Sequence, residues 1–521
     1  MGTSHRSGAA RPNDRAAFFF LSAIMAAAAA IRLVRAVNNS LWYDELYTVW
    51  ASRLSLGELM AEVPPSGHPP LYYLLGHFWF TPGAGELRLR SISLVAGLAT
   101  VWLVYRLGRE LYSRRTGLWA AALAALSPPL VRYASEGTDM ALMIAAATAS
   151  LYFLVLGVRR GRALWWGVFV AASVVAITSH HLALTFIVAE AVFYLLFDRG
   201  PRRRLRQWLI SQSFLALLAA VWLLYIRGAQ QQVDPIGHSW VSDIAAALGR
   251  APLLMLTDSN HIPTGELWAP FLVLCVVAVG LILASARTRE LLAARQSAAL
   301  AACVLTAVLL NTVVVLATQP VYVADLSSRY YLVAAPELLL LLAAPIALLG
   351  RRIALMASVA LLIVSGWLTY PVVTTRVWDY RAVVETVSEN YREGDILMAF
   401  PAHHFVVAMA NYSPEPVEVL GGWIVDEEAG EVMFPGPPGD KWEGYLEDEI
   451  NDPLSGEELR RFLDRQLPGA SRLWIIAGNG EERYFPRSDV VDEALGEEWE
   501  NISSWEFEGP LVLKLFQRHP G

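Results

Sequence analysis

"LRLRSISLVAGLATVWLVYRLGREL", residues 87–111, decides what kind of molecule this is. Its middle, 90–108, is an apolar run close to the ~20 residues that cross a bilayer, with Arg88 and Arg90 at one end and Arg106 and Arg109 at the other. A run bounded in this way reads as a membrane span whose arginines sit where the hydrocarbon ends. The composition agrees, because 55% hydrophobic and 17% charged residues over 521 positions are too apolar for a soluble protein of that size. Comparable runs fall at 16–36, 116–132, 138–158, 163–179, 181–197, 207–226, 267–286, 297–317, 330–349 and 353–371. Eleven spans make a polytopic α-helical membrane protein.

The arginines orient these spans, since short cytoplasmic loops hold the excess of positive charge. With the N-terminus inside, the inward segments carry Arg6, Arg11 and Arg15; Arg106, Arg109, Arg114 and Arg115; Arg159, Arg160 and Arg162. They continue with Arg199, Arg202, Arg203, Arg204 and Arg206; Arg287, Arg289 and Arg295; and Arg351 and Arg352. The outward segments are longer and hold fewer bases, which requires an odd number of spans and places the C-terminus outside. Arg32 and Arg35 close the first run without a clear small-x-small cleavage site, so that run is expected to stay as an anchor rather than be removed as a signal. The expected setting is a multi-pass cell membrane, the inner one where there are two.

Charge divides the chain. From Arg376 onward there are 30 acids against 12 bases, and before it 18 acids against 29 bases. The expected domains are therefore a basic membrane body, 1–375, with a large first outer loop at 37–89, and an acidic extracytoplasmic domain, 376–521. In that tail, helix-like runs ("WDYRAVVETVSENYREG", "AHHFVVAMANY", "SGEELRRFLDRQL") alternate with strand-like ones ("DILMAF", "VEVL", "RLWIIAG", "LVLKLFQR"). Such alternation predicts a small α/β domain with a largely parallel sheet. Its "FPGPPGDKWEG" is a surface loop, and His403 and His404 read most simply as surface or packing residues. Cys275 and Cys303 fall in neighbouring spans near opposite membrane faces, so they read as small apolar packers rather than a disulfide. The chain holds no CxxC, Walker A, HExxH or GxGxxG run at a useful position, which disfavours a nucleotide-driven pump.

Unusual chemistry gathers in the outward segments. The first opens with "LWYDELYTVWAS", 41–52, where Asp44 and Glu45 stand among Trp42, Tyr43, Tyr47 and Trp50. Two acids could form a solvated turn, but the aromatic flanks argue for a protein-lined site at membrane depth, where an ionisable residue is a functional hypothesis by default. "PPSGHPPLYYLLGHFWF", 64–80, follows as an interfacial segment broken by prolines. The later outward turns read "RYASEGTD", "TSHH", a stretch from Arg227 to Glu266, and "QPVYVADLSSRYY". Together they pool Asp44, Glu45, His68, Arg132, Glu136, Asp139, His180, His181, Arg227, Asp325 and Arg329 into one polar cavity at the outer face. His180 and His181 read as a helix-end turn or as substrate contacts. Arg329 reads as a snorkelling residue or a ligand, and Arg88 and Arg90 as interfacial anchors or ligands.

Taken in order, "YDE" after the first span, "HPPLYYLL", the run at 87–111, "RYASE", "SHHLAL" and "SRYYLVAAPELLLLLA" carry a resemblance over about 16–371. The chain resembles the GT-C superfamily of polyprenyl-phosphate-sugar glycosyltransferases, in the branch of protein O-mannosyltransferases and the lipid A aminoarabinose transferase. The resemblance implies transfer of a sugar from a polyprenyl-phosphate donor to a lipid, glycan or protein hydroxyl on the extracytoplasmic side, with the bilayer as partner and no nucleic acid. It implies Asp44 as the base and Glu45 as its neighbour, positioning the acceptor or tuning the pKa. Because the only lysines, Lys441 and Lys514, lie in the tail, arginines must hold the donor phosphate: Arg329 first, with Arg88 or Arg132 assisting. His68, Tyr72, Glu136, Asp139, His181 and Tyr330 are the expected substrate contacts. Thr138 stands where relatives reading like "QEARMY" carry an arginine, which bears on the identity of the sugar or acceptor. No cofactor is called for, and a divalent metal is left open. A secondary transporter would call for internal repeats and helices broken near mid-span. A scaffold subunit would explain the tail but would have no need of the Asp44, Glu136 and Arg329 set.

Overall fold

The structure, a computed structural model, describes residues 12–64, 67–80, 85–227, 240–258, 290–291, 293–318, 326–349, 351–376, 378–399, 402–413, 471–478, 487–507 and 511–519, with short pieces at 417, 419–420, 423–424 and 432–433. The apolar runs become helices: α1 (Pro12–Asn38), α5 (Glu86–Leu111), α8 (Met140–Arg160), α9 (Ala163–Ser179), α10 (Ala183–Phe197), α11 (Arg202–Arg227), α13 (Arg295–Thr318), α14 (Ala335–Ile346) and α15 (Arg351–Thr374). Between α1 and α5 lie α2 (Tyr43–Arg53), α3 (Leu56–Glu62) and α4 (Leu71–Trp79), and α12 (Trp240–Thr257) follows α11. The expected span at 267–286, with Cys275, lies outside the described residues, as do Asp325 and the helix-like run at 455–467. Cys303 is buried and free. The molecule is a mostly helical membrane protein with a small C-terminal sheet region.

One expected span is broken in two. The run at 116–132 forms α6 (Arg114–Ala125) and α7 (Pro128–Ala134), because Pro128 and Pro129 supply no amide hydrogens to continue α6 and are suited instead to a new first turn. The carbonyls freed at the break are not left bare. Buried Arg32 of α1 donates to Ala125 O at 3.0 Å and Ala124 O at 3.1 Å, and Thr369 Oγ1 of α15 donates to Leu126 O at 2.6 Å. At the other end of the α5–α6 hairpin the backbones touch: a Cβ on Gly108 would lie 2.9 Å from Gly117 Cα, and one on Gly117 would lie 2.5 Å from Tyr105 O. The run at 330–349 also departs from a simple span, since two 3-10 turns, Ser328–Tyr330 and Leu332–Ala334, precede α14.

The tail contains α16 (Tyr380–Asn390), α17 (Ala402–Tyr412), α18 (Ser488–Leu495) and the strands β1 (Ile396–Ala399), β2 (Val419–Leu420), β5 (Arg472–Gly478), β6 (Trp499–Glu506) and β7 (Leu511–Arg518), with a small antiparallel pair β3 (Trp423–Ile424) and β4 (Val432–Met433). The sheet order is β2-β1-β5-β7-β6. β1 pairs in parallel with β2 and β5, while β7 is antiparallel to both β5 and β6. The sheet is thus mixed rather than largely parallel. The sequence reading passed over β6, an edge strand with little buried surface and therefore little apolar signal. Leu46, Val49 and Trp50 of α2 share one apolar cluster with Val383, Val384, Phe405, Met409, Trp474 and Leu513 of the tail. The tail therefore sits directly on the helix that carries Asp44.

Candidate active site

α2 starts where the chain leaves α1, and Glu45 fastens that start. Its carboxylate is fully buried and receives Arg90 Nε at 2.7 Å and Nη2 at 2.6 Å, Gly137 N at 2.6 Å and Trp42 N at 3.3 Å. Gly137 is needed there, since a Cβ would lie 2.6 Å from Leu89 Cγ and 3.3 Å from Glu45 Oε1. Arg90 spends its remaining donors on Ala36 O, Asn39 O and Ser40 O, at 2.6, 2.7 and 2.8 Å. With every acceptor position occupied, Glu45 clasps α2, α5 and the turn before α8 together. That occupancy suits a positioning group and leaves no lone pair for an acceptor substrate.

Asp44, next in the chain, is half-buried and free of that clasp. Burial, followed by Glu136 and Glu45, pushes its carboxyl up, while Arg329 and Arg132 oppose, leaving it at about 6. Asp139, at the N-cap of α8, is buried with Oδ2 unpartnered, and burial plus the Asp44 charge push it up to about 8. Facing both is Arg329, on the first 3-10 turn before α14. Its Nη2 donates to Tyr330 OH at 3.0 Å and its guanidinium lies 5.0 Å from the Tyr330 ring centre. Among the described residues no carboxylate comes within ion-pair distance of Arg329, although Asp44 lies close enough to raise its pKa. A guanidinium that has no carboxylate partner among the described residues and keeps donors beyond the one given to Tyr330 is chemically able to receive an anion.

Three histidines complete this wall. His180 and His181 stack at 4.2 Å, and His68 Nδ1 meets Tyr73 OH at 3.3 Å. Burial, with Arg329 adding to it, lowers His181 to about 4; for His68, lowered to about 4 as well, His181 also contributes. Both are neutral donors and acceptors at ordinary pH. Tyr47 packs between His68 and Tyr73, at 5.3 and 5.5 Å.

Other expected residues are engaged elsewhere. Arg88 is exposed and stacks over Trp79 at 5.2 Å, the place of an interfacial anchor. Arg132 is buried against Glu136 at 3.1 Å and Asp258 at 3.2 Å, and Glu136 is shared with Arg35 at 2.9 Å, so neither arginine is spare for a phosphate. Ser328 Oγ donates to Asp258 at 3.0 Å, tying the Arg329 turn to this network. Glu136 keeps Oε2 buried and unpartnered. Tyr72 turns away to Ser93 Oγ at 2.9 Å, and the neighbouring Tyr73 takes the place on the site wall. Thr138 is buried, and its carbonyl accepts from Ser93 Oγ at 3.0 Å. Sequence reasoning named Arg90 only as an anchor or ligand and missed Arg35, Asp258 and Tyr73. The available signals were an arginine at the end of an apolar run and an acid within a long outward segment. Among the described residues no group of three His, Cys, Asp or Glu side chains is arranged to hold a metal ion.

Residues 67–226 match the family model described as dolichyl-phosphate-mannose-protein mannosyltransferase. No curated protein matches the sequence. Among solved structures the fold is similar to ArnT from Cupriavidus metallidurans in the apo state, at 12% identity and a TM-score of 0.53 over 96% of this chain and 98% of that one. It is similar also to the same protein bound to undecaprenyl phosphate, at 13% identity and a TM-score of 0.51 over 96% and 97%. A third likeness is to the Archaeoglobus fulgidus oligosaccharyltransferase in the apo form, at 12% identity and a TM-score of 0.50 over 88% of this chain and 69% of that one. The chain thus shares its fold with these membrane glycosyltransferases, and a segment of its membrane body matches the mannosyltransferase family model.

Proposed function

We propose that the protein is a membrane glycosyltransferase that moves a sugar from a polyprenyl-phosphate donor to a hydroxyl acceptor at the extracytoplasmic face, with Asp44 as general base. The observation that carries this reading is half-buried Asp44 standing near Arg329, a cation with no carboxylate within ion-pair distance among the described residues. The guanidinium suits the phosphate of the donor, where charge builds as the sugar–oxygen bond breaks. Asp44 stands across from it, suited to take the proton of the attacking hydroxyl on the opposite side of the anomeric carbon, which inverts that centre. His68, His181, Asp139 and Tyr73 line the intervening space as neutral or unpartnered polar groups for sugar and acceptor hydroxyls. The binding of undecaprenyl phosphate by the Cupriavidus metallidurans protein supports a lipid-phosphate donor for the same fold. In this reading 1–375 is the catalytic membrane body, the N-terminus is cytoplasmic, and 376–521 is an extracytoplasmic domain.

The test is release of undecaprenyl phosphate from a panel of undecaprenyl-phosphate sugars by the purified full chain. Asp44→Asn should lower transfer by about 10²–10⁴, the usual worth of a positioned base, with folding unchanged. Turnover of no donor by the wild type, or wild-type transfer by the Asn variant, would sink the assignment.

A further inference from the structure

The tail touches the membrane body through a polar chain that ends at the catalytic loop. Glu86, the first residue of α5, accepts from Arg381 of α16 on one oxygen and from Tyr412 OH of α17 on the other. The Tyr412 oxygen in turn accepts from Leu41 N at 2.7 Å, in the link between α1 and α2, and the Arg381 guanidinium lies 5.8 Å from the Tyr412 ring centre. Arg381 Nη2 also reaches Asn39 O at 3.5 Å, and Ser40 Oγ donates to Trp378 O. From Glu86 the chain continues to Arg90 at 3.8 Å and from Arg90 to the two oxygens of Glu45. Residues 39–41 are thus gripped from the tail by Arg381, Tyr412 and Trp378, and from α5 by Arg90.

We propose that Arg381 and Tyr412 are positioning residues for Asp44: the C-terminal domain acts as a brace that sets the start of α2 and hence where the catalytic carboxyl points. This rests on the reading of Asp44 as the base. The physical ground is the grip at residues 39–41, on the link that leads into α2. The apolar cluster under α2 fixes its far side to α16 and α17, but only hydrogen bonds of fixed direction set the angle at which its first turn leaves α1. A loosened brace lets Asp44 move relative to Arg329, and a displacement of about 1 Å can cost on the order of 10² in rate. Both residues are spent on Glu86, Asn39 and Leu41, so donor affinity should not depend on them.

Hydrogen–deuterium exchange and transfer, both on the full chain, test the brace with Arg381→Gln and Arg381→Lys. In the Gln variant amides 41–48 should exchange at least roughly tenfold faster, while β5 and β7 keep wild-type protection; Lys, which keeps the charge on Glu86, should restore most of the difference. With an undecaprenyl-phosphate sugar that the wild type turns over, kcat of the Gln variant should fall roughly tenfold and affinity for undecaprenyl phosphate stay within about twofold. The proposal is overturned if the Gln variant leaves amides 41–48 within about twofold of wild type, if β5 and β7 lose protection with them, or if affinity falls in step with kcat. Should the wild type turn over no donor, the transfer reading falls while the exchange experiment still decides whether the brace exists.

Discussion

Asp44 and Glu45 differ by one methylene and one position, and the fold gives them different surroundings. Glu45 meets a guanidinium and two backbone amides, and nothing remains for it to accept. Asp44 meets Arg329 across a gap, with burial lifting it to about 6. A base must be ionised, so transfer should fall as pH drops through about 6 and level off above it. Arg329 lowers that value, so Arg329→Ala should move the acid limb to higher pH as well as weaken binding of undecaprenyl phosphate. Arg329→Lys should recover binding in part, because an ammonium lacks the planar fork. Titrating undecaprenyl phosphate into both variants checks the first effect and a pH–rate profile the second. If Arg329→Ala binds as the wild type does, the arginine is an interfacial anchor. The sequence made these residues legible as a set, because outward loops concentrated acids, histidines and arginines among aromatics. It could not say which acid was spoken for, since Arg90 lies 45 residues from Glu45 and its reach depends on how α5 packs.

At the scale of elements, most helices were legible and the exceptions have local causes. α5, α8 and α13 follow directly from apolar length between arginines or polar turns. The break between α6 and α7 was written in Pro128 and Pro129, but hydropathy averaging ran across it; what makes it tolerable, Arg32 on the freed carbonyls, is a tertiary fact. β6 was passed over because an exposed edge strand needs little apolar surface. The clasp of α2 onto α5 yields its own prediction. Arg90→Met leaves the Glu45 carboxylate buried without its partner, which should cost about 3–5 kcal/mol, whereas Glu45→Gln with Arg90→Met should cost less than Arg90→Met alone. Thermal unfolding in detergent, with exchange at residues 41–53 as the local readout, compares the two. Equal stability of Arg90→Met and wild type would leave Glu45 without a structural role.

On the scale of the whole molecule, the loops alternate in character. The links that carry Glu136 and Asp139, His180 and His181, and Arg329 fall at one end of the bundle with α2 and the tail. The α8–α9 link at Gly161 and the α10–α11 link around Gly200 fall at the other end, among Arg159, Arg160, Arg162, Arg199, Arg202, Arg203 and Arg204. The docking of the tail on α2 was not legible, because it depends on which face of a short helix meets a sheet far along the chain. The alternation itself was legible, since charge bias survives without any knowledge of packing. Arginine-rich loops stay on the cytoplasmic side, so the end carrying Asp44 and the acidic tail should face outward, where a sugar presented on a lipid can meet an acceptor. A reporter that matures only outside the cytoplasm, fused after Gly521, should be active, and the same reporter inserted at Gly200 should be silent, with a cytoplasmic reporter giving the reverse at both positions. Activity of the first reporter at Gly200 would put Asp44 on the cytoplasmic face and remove the basis for an extracytoplasmic transfer.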